Sequence, residues 1–157
     1  MRILGIDPGY GILGWAIIEE HLMIIDFGVI ETLKNTGIED RLSLIYFGVT
    51  EIINQYRPDC VAIERLIFSA NTKTALDVAK CIGVILLSAK LAGLKFTEYS
   101  PLEIKKSIVG YGRASKKQIQ TMIMKIFNIN EVPQPDDAAD AIAIAVCHSL
   151  SSNFIKN

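Results

Sequence analysis

The chain alternates between short apolar bursts and longer segments whose apolar residues recur with helical spacing. Arg2-Ile3-Leu4-Gly5-Ile6-Asp7 is a compact apolar run closed by an acid, and it reads as a central strand. The turn-rich segment Asp7-Pro8-Gly9-Tyr10-Gly11 follows. Two further strand candidates lie at about 13–19 and 22–32, divided only by Glu19-Glu20-His21, a spacing that predicts antiparallel hairpins. From about Glu39 to Tyr56, the positions Leu42, Leu44, Ile45, Val49, Ile52 and Ile53 keep a helical period, and Arg57-Pro58-Asp59 stops it. Residues 60–64 (Cys60-Val61-Ala62-Ile63-Glu64) are apolar on both faces, as a central parallel strand should be.

A long helix is predicted from about Thr72 to Ala92, ending at Gly93. Between Cys81 and Leu91 it is apolar over much of its circumference, more than one sheet face requires. Lys95 to Tyr99 reads as a fifth strand. Ser100-Pro101 opens a short helix with Pro in its first turn, and Ser115 with Gln118 three residues on has the pattern of a capping box. Pro133-Gln134-Pro135 leads into a last helix at about 137–150, with Asp136 as its expected N-cap. The order describes a single α/β domain over residues 1–157. It is a mixed five-stranded sheet, three antiparallel strands and then parallel ones, flanked by helices on both faces.

Composition narrows the class. Of 157 residues, 50% are hydrophobic and 21% charged, which suits a globular chain with a sizeable core. Apolar runs break within about ten residues, short of the roughly 20 needed to cross a bilayer, and the opening residues lack a signal-peptide pattern. Cys60, Cys81 and Cys147 are widely spaced among apolar neighbours, and read as reduced core thiols of a cytoplasmic protein. The net charge of −1 excludes a uniformly basic coat. Between Lys95 and Lys117, however, Lys95, Lys105, Lys106, Arg113, Lys116 and Lys117 face only Glu98 and Glu103. One basic face on a neutral chain suits a phosphate backbone; a solvated helix pair is the plainer explanation.

Four acids change the picture. Asp7 and Glu64 close two apolar strands, and Asp137 and Asp140 open the Ala/Ile-rich last helix three residues apart, on one face. In a parallel βα arrangement the carboxyl ends of central strands converge on one crevice. Carboxylates gathered there repel one another and resist desolvation, so a divalent cation is the expected compensation. Oxygen ligands without His or Cys select Mg²⁺, with Mn²⁺ able to substitute. Four carboxylates match two ions better than one, with Asp7 as the expected bridge, which is the donor set for in-line displacement at phosphorus. Singly, Asp7 also suits a turn before Pro-Gly, and Asp137 and Asp140 suit a helix N-terminus.

Around this mouth the sequence places Tyr10, Tyr99, Tyr111, Phe68 and Arg113, where exposed aromatics would stack on unpaired bases. Ile67 and Phe68 compete as an apolar wedge that unstacks a DNA step. His148 lies eight residues past Asp140, about 12 Å along a helix, and reads as structural rather than as a ligand.

Taken in order, these pieces resemble the RuvC family of Holliday-junction resolvases, within the ribonuclease H-like superfamily. The resemblance rests on Ile3-Leu4-Gly5-Ile6-Asp7-Pro8-Gly9 with Gly14-Trp15-Ala16, Ala62-Ile63-Glu64, Asn71 with Ala75-Leu76, and Tyr99-Ser100-Pro101 with Ile104-Lys105. It continues through Gly110, Gly112-Arg113-Ala114, Lys116 to Gln120, Pro135, Asp137-Ala138-Ala139-Asp140-Ala141-Ile142-Ala143 and His148. It implies a homodimeric, Mg²⁺-dependent endonuclease of recombination and repair that nicks two opposed strands of a four-way DNA junction symmetrically. Its catalytic and metal-binding acids would be Asp7, Glu64, Asp137 and Asp140, with two ions per subunit. DNA contacts would come from Ile67, Phe68, Lys105, Lys106, Arg113, Lys116 and Lys117. The apolar helix 72–92 would be the dimer surface, and a RuvA–RuvB branch-migration complex the partner. The chain departs from the family pattern at Ala79-Lys80-Cys81-Ile82-Gly83, where family members often carry Gln and Arg. Two rival readings are a non-catalytic junction-binding module and an actin-like or sugar-kinase-type phosphate-binding lobe, which the Gly5-to-Gly14 segment also resembles.

Overall fold

Successive residues of each inner strand point to opposite sides of one sheet, and each side is closed by its own set of helices. The computed structural model describes residues 1–19, 22–67 and 72–155. Phe68 and Asn71 lie outside the described residues. In chain order the elements are β1 (Arg2–Asp7), β2 (Ile12–Glu19), β3 (Met23–Glu31), α1 (Ile38–Tyr56), β4 (Cys60–Glu64), α2 (Thr72–Leu91), β5 (Lys95–Tyr99), α3 (Pro101–Val109), α4 (Lys116–Phe127) and α5 (Asp136–Ile155). The sheet order is β3-β2-β1-β4-β5. β1, β2 and β3 pair antiparallel, while β1–β4 and β4–β5 pair parallel, as the hydrophobic pattern predicts.

On one face Ile3, Ala16, Ile18, Cys60 and Ala62 pack against α3, α4 and α5; on the other, Leu4, Ile6, Leu13, Ile17, Val61 and Ile63 pack against α1 and α2. β1 and β4 are covered on both sides, which explains why they read as unbroken apolar runs rather than alternating ones.

α5 is the element that brings the last two acids to the sheet. Ala138, Ala139, Ala141, Ala143 and Ala145 are all buried along it, as are Ile142, Ile144 and Val146. A helix apolar all round is a buried helix, and this one lies against the sheet, α3 and α4. Two glycines let it come so close. A Cβ on Gly5 would lie 2.3 Å from the carbonyl oxygen of Ala141, and one on Gly14 would lie 2.0 Å from that of Asp137. Backbone touches backbone at both points, so no side chain fits. The helix runs to Ile155, past the expected end near residue 150.

The helix boundaries follow local chemistry. Ser100 and Ser115 both close capping boxes, with Glu103 and Gln118 respectively, and Pro101 takes the first turn of α3. Arg57 ends α1 in the left-handed region immediately before Pro58. Gly110 ends α3 at φ 90°, where a side chain would be strained.

Candidate active site

The sheet topology puts the carboxyl ends of β1 and β4 side by side, so Asp7 and Glu64 leave adjacent strands at the same end. α5 begins at that end too. Its first turn sits on Gly14, the partner of Asp7 across the β1–β2 pair, so Asp137 and Asp140 arrive over the same strand ends. Four acids from three elements thus face one another, all of them half-buried.

Their proximity shows in their protonation. The Asp7 carboxyl is pushed up from 3.8 to about 7, first by burial and then by the charges of Asp140, Glu64 and Asp137, with Lys116 opposing. Glu64 is also raised, by burial and by Asp140, while Lys105 pulls it down. Both lysines therefore stand at the acids and answer part of their charge. Lys116 Nζ lies 3.0 Å from Asp140 Oδ2 and 3.3 Å from Asp136 Oδ2. Burial pulls the Lys116 ammonium down, but its hydrogen bonds and attraction to Asp140 and Asp136 outweigh that and leave its pKa raised. Lys105 and Lys116, with Glu64 and Asp140, ring the mouth of a cavity of about 230 Å³. Ile104, Ile119 and Ile144 form its apolar back.

The donor set fits a hard divalent cation. It is all carboxylate oxygen and it lacks positive charge: burial, and then the neighbouring acids, hold the Asp7 carboxyl above its usual range. Among the described residues, however, no group of three His, Cys, Asp or Glu side chains already forms a coordination shell. Lys116 takes the Asp140 oxygen that a shell would need. The acids are a mutually repelling cluster rather than the finished cage that their spacing suggests.

Several expectations need correction. Asp136 is the first helical residue of α5, not a residue preceding it, and its carboxylate turns to Lys116 and to Gln120 Nε2 at 3.4 Å. Tyr99 is half-buried against the core rather than exposed; its hydroxyl lies 2.9 Å from Nδ1 of His148. Its position at the end of a short strand suggested exposure, but the α5 side of the sheet takes it in. Tyr10 lies under the Arg41 guanidinium, 5.2 Å from its ring centroid. Tyr111 is exposed and accepts a hydrogen bond from Gln118. Ile67 is 60% exposed directly beyond Glu64. Lys106, Arg113 and Lys117 are exposed around α3 and α4, beside the cavity rather than in it. The roles of Gly5 and Gly14 went unread in the sequence; the available signal was two strand-interior glycines in a chain that also carries an alanine-rich helix.

Comparison with known proteins gives one consistent picture. The family model described as crossover junction endodeoxyribonuclease RuvC matches residues 3–148. A crossover junction endodeoxyribonuclease RuvC of Halothermothrix orenii is 47% identical over 154 residues, covering 96% of this chain and 93% of the relative. One from Alkaliphilus metalliredigens is 46% identical over 157 residues, covering 98% and 96%. The structure of T. thermophilus RuvC in complex with a Holliday junction substrate superimposes with a TM-score of 0.93 at 29% identity, covering 98% of this chain and 96% of that one.

Proposed function

The chain belongs to the crossover junction endodeoxyribonuclease RuvC family, and we propose that it resolves four-way DNA junctions by metal-assisted hydrolysis of opposed phosphodiesters at Asp7, Glu64, Asp137 and Asp140. The observation that carries this reading is the convergence of Asp7, Glu64, Asp137 and Asp140 from β1, β4 and α5, where burial first and the three other acids next raise the Asp7 carboxyl to about 7. A folded chain keeps such a cluster at a strand-end crevice only where a cation will answer it. When bound, divalent cations polarise the scissile phosphate and lower the pKa of the attacking water. Mg²⁺, two ions per subunit and replaceable by Mn²⁺, matches the count of carboxylates.

The chain's own groups do the rest. Asp7 and Glu64 hold the metal-binding oxygens at fixed strand ends, while Asp137 and Asp140 close the set from α5. Lys105 and Lys116 sit at the same mouth, where an incoming phosphate exchanges their carboxylate partners for its own oxygens. Lys106, Arg113 and Lys117 extend this basic face along the duplex arms, and Ile67 with Phe68 provides the apolar wedge at the junction centre.

A homodimer supplies the second active site, since a two-fold junction presents two equivalent strands. α2 supports this: Leu76, Leu87 and Leu91 lie exposed near one stripe, with Leu86 beside them, while Cys81, Ile85 and Ala89 face the core. Gly83 sits in that stripe with open space where a Cβ would be, so a partner helix can approach closely. The chain acts as a single domain in the cytoplasm, alongside a RuvA–RuvB branch-migration complex. Among the described residues no helix is long and apolar enough to cross a membrane.

The test is incubation of the purified chain with a synthetic four-way junction and with linear duplex, with and without Mg²⁺. Paired symmetric nicks in the junction alone, dependent on the ion, are expected. Junction binding with no cleavage under any divalent ion would leave only a binding module.

A further inference from the structure

Along α5 beyond the acids lies a hydrogen-bonded group with no part in the chemistry above. His148, on α5, is held from two sides. Its Nδ1 lies 2.9 Å from the Tyr99 hydroxyl and its Nε2 lies 3.3 Å from the Cys60 sulfur. Its ring meets that of Tyr99 edge-on, centroids 5.8 Å apart. The two partners come from different strands: Cys60 opens β4 and Tyr99 closes β5. Burial holds the imidazole below its usual pKa, so one nitrogen donates and the other accepts. A hydroxyl and a thiol can each play either part, and both contacts survive in either tautomer.

Where α5 crosses β1, its packing is made by small groups. The face it lays on β1 is made of Ala141 and Ala145 against Gly5, small groups that form shallow ridges. Such a surface sets the separation of helix and sheet, and the buried Ile142, Ile144 and Val146 hold the helix in the core without directional contacts. Directional hydrogen bonds, confined to a narrow range of distance and angle, supply what shallow packing lacks.

The register decides where the acids stand. α5 descends the sheet from Asp137 beside Gly14, past Ala141 and Ala145 beside Gly5, to His148 beside Cys60. From that last point two arms lead back to the active site. Glu64 is four residues up β4, about 13 Å at the strand rise. Asp140 is eight residues back along α5, about 12 Å at the helix rise. The arms match, so an anchor at His148 and Cys60 brings Asp140 level with Glu64. A slide of one helical residue would move Asp140 by about 1.5 Å, several times the roughly 0.2 Å that metal ligation tolerates.

We propose that His148 is a positioning residue: by binding β4 and β5 together it sets the register of α5 and with it the Glu64–Asp140 separation that a divalent ion must bridge. This rests on the acid cluster being the metal site.

The test compares the full-length wild-type chain with His148→Ala, His148→Gln and Tyr99→Phe. Mn²⁺ binding to the DNA-free protein is measured by titration calorimetry, junction affinity in EDTA, and the melting temperature. His148→Ala is expected to weaken Mn²⁺ binding about tenfold, the lower end for groups that orient metal ligands, and to leave junction affinity in EDTA unchanged. Tyr99→Phe keeps the ring and loses one hydrogen bond, so a smaller loss in the same direction is expected. Partial recovery is expected in His148→Gln. Wild-type Mn²⁺ affinity in His148→Ala and Tyr99→Phe, with only the melting temperature lowered, would overturn the proposal. Should His148→Ala fail to fold, Tyr99→Phe decides by the same criterion. A wild-type chain that takes up no Mn²⁺ overturns the metal-site reading as well, whereas one that binds it beside equally competent variants overturns this proposal alone.

Discussion

Gly14 and the carbonyl of Asp137 are in backbone contact: a Cβ on Gly14 would stand 2.0 Å from that oxygen. β2 thereby holds the start of α5 directly over the strand end that carries Asp7. Backbone does not yield as a flexible side chain does. Gly14→Ala should push the first turn of α5 outward and cost about 1–3 kcal/mol, as overpacking does. Thermal unfolding reads the stability, and cleavage should fall by more than the loss of folded protein accounts for. A variant that melts lower but cleaves normally per folded molecule would separate this contact from the site.

Asp7→Asn should abolish junction cleavage while leaving junction binding largely intact, because it removes metal-holding charge rather than DNA surface. A gel-shift assay in Ca²⁺ or EDTA, set beside a nicking assay in Mg²⁺, makes the comparison. Equal loss of both would remove Asp7 from its assigned role.

The same carboxyl makes metal-free stability depend on pH. Its folded pKa, about 7, stands above the ordinary value of 3.8, so the folded state prefers the protonated form. That contribution is fully present below about pH 4 and is lost as pH rises through 7. At pH 8 without metal the ionised cluster costs at most about 4 kcal/mol. Asp7→Asn should therefore melt higher than wild type at pH 8 in EDTA, with the gap closing towards pH 4. Saturating Mg²⁺ should raise the melting temperature of wild type more than that of the variant.

Lys116 bridges Asp140 and Asp136 and stands on the basic face proposed to meet DNA. Lys116→Met should weaken junction binding and reduce the slope of log affinity against log salt by about one. Binding measured at several salt concentrations reads it. An unchanged slope would take Lys116 out of the phosphate path and leave it only as a counter-ion to the acids.

Leu87 is 53% exposed on the α2 stripe that also carries Leu76 and Gly83. Leu87→Glu should convert dimers to monomers in sedimentation experiments and abolish paired nicking while leaving the fold intact. A dimer that survives this change uses another face.

The strands and helices were legible because local rules decide them. Apolar runs bounded by Pro, Gly and Asp marked β1 and β4, Ser100-Pro101 announced α3 through its first-turn proline, and Ser115 announced α4 through its capping box. The acids were legible too, since a carboxylate ending a buried strand is rare enough to stand out. Residues whose role depends on what crosses over them were not. Tyr99 has the sequence context of an exposed strand end, and only the descent of α5 across β4 and β5 turns its hydroxyl to His148. Lys116 looked like one more basic residue, and only the packing of α4 beside α5 sets it on Asp140.

By itself, then, the sequence determined which elements form, where most of them start and which acids stand out as candidates, because propensity, capping and burial act over a few residues. Tertiary structure alone decided how far α5 slides along the sheet and which lysine answers which acid. Those are distances between elements far apart in the chain, set by glycines that admit a backbone and hydrogen bonds that fix a register.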